Sequence, residues 1–437
     1  MSILTGPALA ANLYLTRWEA VQLALKQNEG HRTVLLEAER VHGLYLEARA
    51  GALPSLTLEG EYLRNLELPT SVIRLEDSAG QSTKLRTSFG TKNDYRMTLR
   101  LNQPLYVAGK IGAALKIAGY GKELTAARIE ASRRNTAAAA DKAYLDAVAA
   151  GLAVRVFQAA EALADSNLRV VEALSAQGQV SEYDLLRAQV RAANARPDRI
   201  STENRARLAH DRLHDALALP PETVLHLDTV LPVLTVPALA LDGLLAEAQA
   251  QRPELRQGVL NVDINRKLID IARGNGKPTL TFSSALQWQG LAEDLTPSSD
   301  EWYRSWNASL NLTWPLFTGF GVAGQVRQAK VDLHQSELAQ AQLERQVRLE
   351  VQSAVADLED AGERVQALGE TVGQAERGVA IAHVRYQNGM GTQLELQDAE
   401  VALTAARVNR INALYDLALA TSELRRAVGR PWAPTWP

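Results

Sequence analysis

Four segments of the chain alternate apolar and polar residues with a period of two, as a strand with one dry and one wet face does. In the first, Leu56, Leu58, Gly60 and Tyr62 oppose Thr57, Glu59 and Glu61. In the second, Tyr95, Met97, Leu99 and Leu101 oppose Arg96, Thr98, Arg100 and Asn102. In the third, Leu280, Phe282, Leu286 and Trp288 oppose Thr281, Ser283 and Gln287; in the fourth, Trp306, Leu310, Leu312 and Trp314 oppose Ser305, Asn307, Asn311 and Thr313. The spacing predicts strands at about 55–64, 94–103, 279–289 and 303–314. Two architectures fit: a water-filled barrel in lipid, apolar outside and polar inside, or the antiparallel sheet of a soluble protein. Tyr62, Tyr95, Trp288, Trp302 and Trp314 cluster near strand ends, where interfacial belts sit. Four strands cannot close a membrane barrel, whose smallest examples have about eight. Lipid tolerates no open sheet edge, so the barrel reading requires several chains that each donate a few strands.

Elsewhere the period lengthens. No proline lies between Pro104 and Pro197, or between Pro315 and Pro431. Long helices are expected at about 109–176, 182–219, 320–387 and 392–428. As one helix, Gly321 to Gln387 would extend roughly 100 Å. Its apolar seam runs Val351, Ala354, Leu358, Ala361, Val365, Leu368, Val372, Ala375, Val379, Ala382, in steps of three and four that make a sustained heptad. After a turn at Gly389 the seam resumes at Leu396, Ala399, Leu403 and Ala406. Arg410 breaks it, and it returns at Ala413, Leu417, Ala420 and Leu424. Alternating large residues with Ala lets antiparallel helices approach closely. Pro197 lies inside the expected 182–219 helix and should kink or interrupt it.

The two patterns occur twice, in the same order. Gln103-Pro104-Leu105-Tyr106 recurs 211 positions later as Trp314-Pro315-Leu316-Phe317. Gly178 to Val190 (GQVSEYDLLRAQV) recurs at the same offset as Gly389 to Val401 (GMGTQLELQDAEV). Upstream, Ala48-Arg49 matches Ala272-Arg273 at an offset of 224, so the first half carries the longer strand-to-strand loop, around Leu66 to Lys92. The first structural repeat is thus assigned to 15–219 and the second to 241–429, each opening on a helix. A proline-marked linker at 220–240 joins them, with Pro220-Pro221 and Pro232 to Pro237, and 430–437 is a tail. In the N-terminal segment, 1–14, Ala8-Leu9-Ala10 has the spacing of a signal cleavage site without the basic start and apolar stretch that precede one. It reads either as the remnant of an export signal or as an ordinary loose N-terminus.

Composition narrows the function. The net charge of −3 gives no basic surface for nucleic acid. With Cys at 0, disulfides, thiolate zinc sites and thiol catalysis are excluded. No run of 18 apolar residues occurs, so no transmembrane helix is expected, which leaves a strand barrel open. His210 and His214 are four apart on one helix face, but Asp211 stands where zinc proteases place Glu, and no third ligand is identifiable. Gly274-Asn275-Gly276 precedes a strand rather than the helix a phosphate loop needs. Neither a cofactor nor a metal is expected, and the chain does not read as an enzyme.

Strand, Pro-Leu-aromatic, Gly and long helix, found twice, resemble the TolC family of outer membrane efflux proteins. So does Tyr386-Gln387-Asn388-Gly389-Met390-Gly391-Thr392 followed by Leu394-Glu395-Leu396-Gln397-Asp398-Ala399, and the resemblance runs from about Leu15 to Gly429. It implies an α+β membrane protein: a homotrimer whose 12-stranded transmembrane β-barrel in outer-membrane lipid is continued by a periplasmic α-helical coiled-coil barrel. It further implies a passive exit duct of a tripartite efflux or type I secretion system, with a periplasmic adaptor (membrane fusion) protein and an inner-membrane transporter as partners. Glu395 and Asp398 fall where the family places its aperture carboxylates, and their i,i+3 spacing puts both on one helix face. Asp184 and Tyr386 match closing contacts near the tips, while Gly391 occupies the place of the family's basic partner. Gly178-Gln179-Val180 and Gly389-Met390-Gly391 match the region where adaptors dock. No N-terminal acylated cysteine is present, so no lipid anchor is expected. The alternative from the residues alone is a soluble structural coiled-coil protein with a small antiparallel sheet.

Overall fold

The computed structural model describes residues 12–76, 82–220, 222–234 and 239–433. Ala8-Leu9-Ala10, Pro221, Pro237 and the end of the tail lie outside the described residues. The elements, in order, are β1 (Asn12–Leu15), α1 (Arg17–Gln27), α2 (Glu29–Ala50), β2 (Ser55–Arg64), β3 (Thr70–Glu76), β4 (Ser82–Ser88), β5 (Asn93–Tyr106), α3 (Lys110–Ala176), α4 (Glu182–Ala216), β6 (Val224–Leu227), α5 (Leu241–Gln251), α6 (Pro253–Gly274), β7 (Thr279–Ala292), β8 (Trp302–Thr313), α7 (Gly321–Ala367), α8 (Thr371–Gln387) and α9 (Gln393–Val428). They form two compact units, neither of which is a single repeat. One comprises Glu39–Glu123 and Leu260–Glu337; the other comprises the residues up to Ala38, Leu124–Val259 and those from Leu338 onward.

The first of these units holds an antiparallel sheet in the order β2-β5-β7-β8, so its two central strands come from different repeats. Register sorts its faces. Glu61, Arg96, Gln289 and Tyr303 share one rung, and Glu59, Thr98, Gln287 and Ser305 the next on the same face. Leu58, Leu99, Leu286 and Trp306 share a rung on the opposite face. Leu56, Leu58, Trp306, Leu310 and Leu312 on that second face are each at least 64% exposed, so nothing among the described residues covers it. On the polar face Arg96 pairs with Glu61 (3.2 Å) and Asp94 (2.6 Å), and Arg100 lies 3.9 Å from Glu59. At the loop end Asn93 accepts from the Tyr62 hydroxyl (2.9 Å) and donates to the carbonyls of Glu293 and Asp294. The 66–92 segment is not all loop. Its strands β3 and β4 pair as a hairpin, anchored where the Asn65 amide donates to the Lys92 carbonyl at 2.8 Å.

The duplication persists in the backbone. Ala108 and Gly109, between β5 and α3, both have positive φ (57° and 77°). Gly319 and Phe320, their counterparts 211 positions later, have φ of 59° and 66°. A non-glycine residue there costs about 1–2 kcal/mol, so each strand-to-helix joint carries one strained position, but at opposite places in the pair.

In the other unit, β1 pairs in parallel with β6, a contact between the chain's start and the linker that no local pattern foretold. Thr16 and Glu19 form a reciprocal capping box at the start of α1. Val21 and Ala24 of α1 are buried with Tyr144 and Leu145 of α3 and Leu213 of α4. A second cluster joins Val351, Leu358 and Ala361 of α7 to Leu417 and Leu424 of α9, realising part of the heptad seam. The expected single helix at 320–387 is in fact two. It breaks at Leu368-Gly369-Glu370, and the Arg410 guanidinium donates to the Gly369 carbonyl at 3.1 Å. The arginine that interrupts the seam on one helix thus caps the break in the other. Pro197 does not interrupt α4, which runs continuously across it. Pro197 and Ala193, four residues before it, are both exposed, so water can satisfy the Ala193 carbonyl that loses its partner. Counting unbroken apolar runs missed one feature: α3 contains a stretch long and apolar enough, by composition alone, to cross a membrane.

Candidate functional site at the paired helical turns

Two turns, α3 to α4 and α8 to α9, use one design twice. In the first, Gly178 has φ +69°, the Gly178 amide donates to the Ser175 carbonyl and the Gln179 amide to that of Leu174, both at 2.9 Å. In the second, Gly389 has φ +70°, the Gly389 amide donates to the Tyr386 carbonyl (3.1 Å) and the Met390 amide to that of Arg385 (2.9 Å). This is the Schellman termination, which needs a left-handed residue and so favours glycine. Ser181 then caps α4, accepting from the Asp184 amide at 3.2 Å, and Thr392 caps α9, accepting from the Glu395 amide at 3.2 Å. Asp184 and Glu395 are therefore equivalent: each is an acid in the first turn of its helix, where the dipole favours negative charge.

The turns differ in what surrounds those acids. Asp184 accepts from the Ser181 hydroxyl at 2.6 Å. Glu395 instead faces Arg385, 3.7 Å away, whose guanidinium also donates to the Met390 carbonyl at 3.2 Å. A Cβ at Gly391 would come within 3.1 Å of both the Arg385 Cβ and a Glu395 carboxylate oxygen. Gly391 thus leaves room for a basic residue from the preceding helix. The sequence reading missed Arg385.

The turns meet around a cavity of about 350 Å³, lined by Leu174, Gln179, Val180 and Asp184 from the first and by Tyr386, Gly389, Gly391 and Gln393 among those from the second. Asp184 and Tyr386 are thus brought to one cavity. Burial, and next the Asp184 carboxylate, push the Tyr386 hydroxyl above its ordinary pKa, and its oxygen has no hydrogen-bond partner among the described residues. Glu395 and Asp398 are exposed on one face of α9, and Met390 is exposed at the turn.

Behind the turn, Gln393, Gln397 and Glu400 are buried along α9. Both side-chain polar atoms of Gln393, the Gln397 amide nitrogen and the Arg191 Nε have no partner among the described residues. Burial raises the Glu400 pKa, and Arg191 opposes the rise. These residues recur at steps of four and three beside Leu396 and Leu403. Polar residues in phase with an apolar seam were the missed signal. His210 and His214 stand on α4, and no group of three potential metal ligands occurs among the described residues.

A sheet with one uncovered apolar face and two open edges, joined to long helices that end in matched turns, defines the protomer of a membrane channel. The outer membrane efflux protein family matches residues 20–219 and 244–430, and the chain belongs to that family. It is similar to Nodulation protein T of Rhizobium leguminosarum bv. trifolii, 23% identical over 407 residues, covering 89% of this chain and 79% of that protein. It is also similar to Protein CyaE of Bordetella pertussis, 25% identical over 355 residues, covering 79% of this chain and 73% of that protein. The crystal structure of the Campylobacter jejuni CmeC outer membrane channel shares its fold, with a TM-score of 0.79 at 17% identity over 94% of this chain and 85% of that one. The protein is an outer-membrane exit duct that extends into the periplasm. Its family consists of trimeric channels that work with adaptors and inner-membrane transporters. The soluble coiled-coil alternative is not favoured.

Proposed function

We propose that the paired turns are the narrow, partner-facing end of a passive duct, with Glu395 and Asp398 as its aperture carboxylates. Their exposure on one face of α9 supports this reading, since three chains around an axis would gather six carboxylates there. Such a ring favours cations and repels anions. The Asp184–Tyr386 juxtaposition acts as a closing contact, and Arg385 takes the part of the missing basic residue by holding Glu395. Gly178-Gln179-Val180 and Gly389-Met390-Gly391 receive a periplasmic adaptor, which couples the duct to an inner-membrane transporter of an efflux or type I secretion system. The transporter supplies the energy, and the duct performs no covalent chemistry.

The observation that carries the reading is that the two turns, far apart in sequence, line one cavity. Planar-bilayer recording tests it. Replacing Glu395 and Asp398 together by Ala should raise single-channel conductance and lower the cation-to-anion permeability ratio. Conductance and selectivity both equal to wild type would remove the assignment.

A further inference from the structure

The apolar face of the sheet carries two cations and no carboxylate. All the carboxylates of its strands, Glu59, Glu61 and Asp94, lie on the polar face, where Arg96 and Arg100 accompany them. On the apolar face stand Arg64, one rung beyond Tyr62, and Arg304, between Trp302 and Trp306 along β8. Both are exposed, and neither forms a hydrogen bond or ion pair among the described residues. An arginine on a lipid-facing barrel surface costs about 2–4 kcal/mol at the midplane and about 0–1 near an interface.

Their position is informative. Helices α3 and α7 leave one end of the sheet, while the strand pairs are joined at the other, which therefore faces the exterior. Arg64 and Arg304 lie toward that exterior end, among the aromatics Tyr62, Tyr95 and Trp302. From Arg304 to Leu312 the strand covers about 27 Å, or about 20 Å of membrane depth at the usual tilt. Arg304 thus stands at the outer margin of the apolar band. The two cations also occupy the two edge strands, β2 and β8. When three sheets close edge to edge, β8 of one protomer lies beside β2 of the next, so every seam is bordered by Arg304 of one copy and Arg64 of its neighbour. None of the four strands offers a carboxylate on this face. An outer-leaflet phosphate would supply the balancing anion at that depth.

We propose that Arg304 and Arg64 form, at each seam of the trimer, a binding site for a phosphate group of a phosphorylated glycolipid in the outer leaflet. The planar guanidinium matches phosphate oxygens bidentately, and the flanking indoles seat the acyl-chain margin. The site rests on the trimeric duct.

Native mass spectrometry of the delipidated, detergent-solubilised full chain tests it, with bisphosphorylated lipid A, enzymatically dephosphorylated lipid A and inorganic phosphate as separate probes. The expected result is up to three bisphosphorylated lipids retained per trimer, with dephosphorylated lipid and free phosphate at least about tenfold weaker. Arg304→Gln and Arg64→Gln should each weaken retention about tenfold while the trimer mass persists. Arg304→Lys, which keeps charge without the fork, should fall between. Equal retention by wild type and both Gln variants, or equal binding of dephosphorylated lipid, would overturn the proposal. Absence of any trimer in wild type would instead count against the duct itself.

Discussion

Two buried polar clusters on α9 are satisfied to very different degrees. Near its C-terminal end, the Asp141 carboxylate of α3 is fully buried and accepts from Arg17 Nε (2.5 Å), Arg17 Nη2 (2.8 Å) and the Ser422 hydroxyl (2.6 Å). Near its N-terminal end, Gln393, Gln397 and Arg191 keep polar atoms with no partner among the described residues. A saturated cluster fixes three helices in one arrangement, because any movement strands a charge. An unsaturated one gains bonds when its surroundings change. The contrast assigns rigidity to the Asp141 cluster and rearrangement to the end where the turns lie.

The largest break in that comparison should come from Asp141→Ala. Removing one partner of a buried pair typically costs about 3–5 kcal/mol, so the thermal midpoint in detergent should fall markedly; a midpoint within the error of wild type would show that the cluster fixes nothing. Gln393→Leu combined with Gln397→Leu should act in the opposite sense. Leaving a buried amide unpaired costs about 1–3 kcal/mol, so the double variant should unfold at higher temperature, and its channels should open less often. Destabilisation would mean that the amides have partners in the assembly and that the contrast is false. Glu400→Gln sharpens the picture with a smaller effect. Burial raises the Glu400 pKa in the folded chain above its ordinary value of 4.5. The native state therefore holds its proton to higher pH than the unfolded chain does. This contribution to stability is greatest below the unfolded pKa and declines as pH rises through the folded one. Midpoints measured from about pH 4 upward should show a shallower decline in Glu400→Gln than in wild type; parallel curves would exclude Glu400 as the source.

Much of the fold was legible in the sequence because it is periodic. Alternation marked the faces of β2, β5, β7 and β8, and the offset of 211 marked turns whose glycines share nearly the same φ. What escaped was non-local or marginal. The β1–β6 pairing joins Asn12 to Val224, and four-residue strands carry too little pattern to announce it. The break at Gly369 depends on Arg410 from another helix. At the turns, Tyr386 and Asp184 entered through family resemblance rather than residue pattern. Nothing in the residue pattern announced the burial of Gln393 and Gln397, since glutamine is rarely placed on a helix seam.

As a duct, the protein requires three copies to pool their open-edged sheets and close a barrel in lipid. Native mass spectrometry of the chain extracted from outer-membrane fractions measures this directly. Detergent-dependent particles of three chains each are expected. A chain that is recovered without detergent as a stable monomer, its apolar sheet face shielded from water, would contradict it.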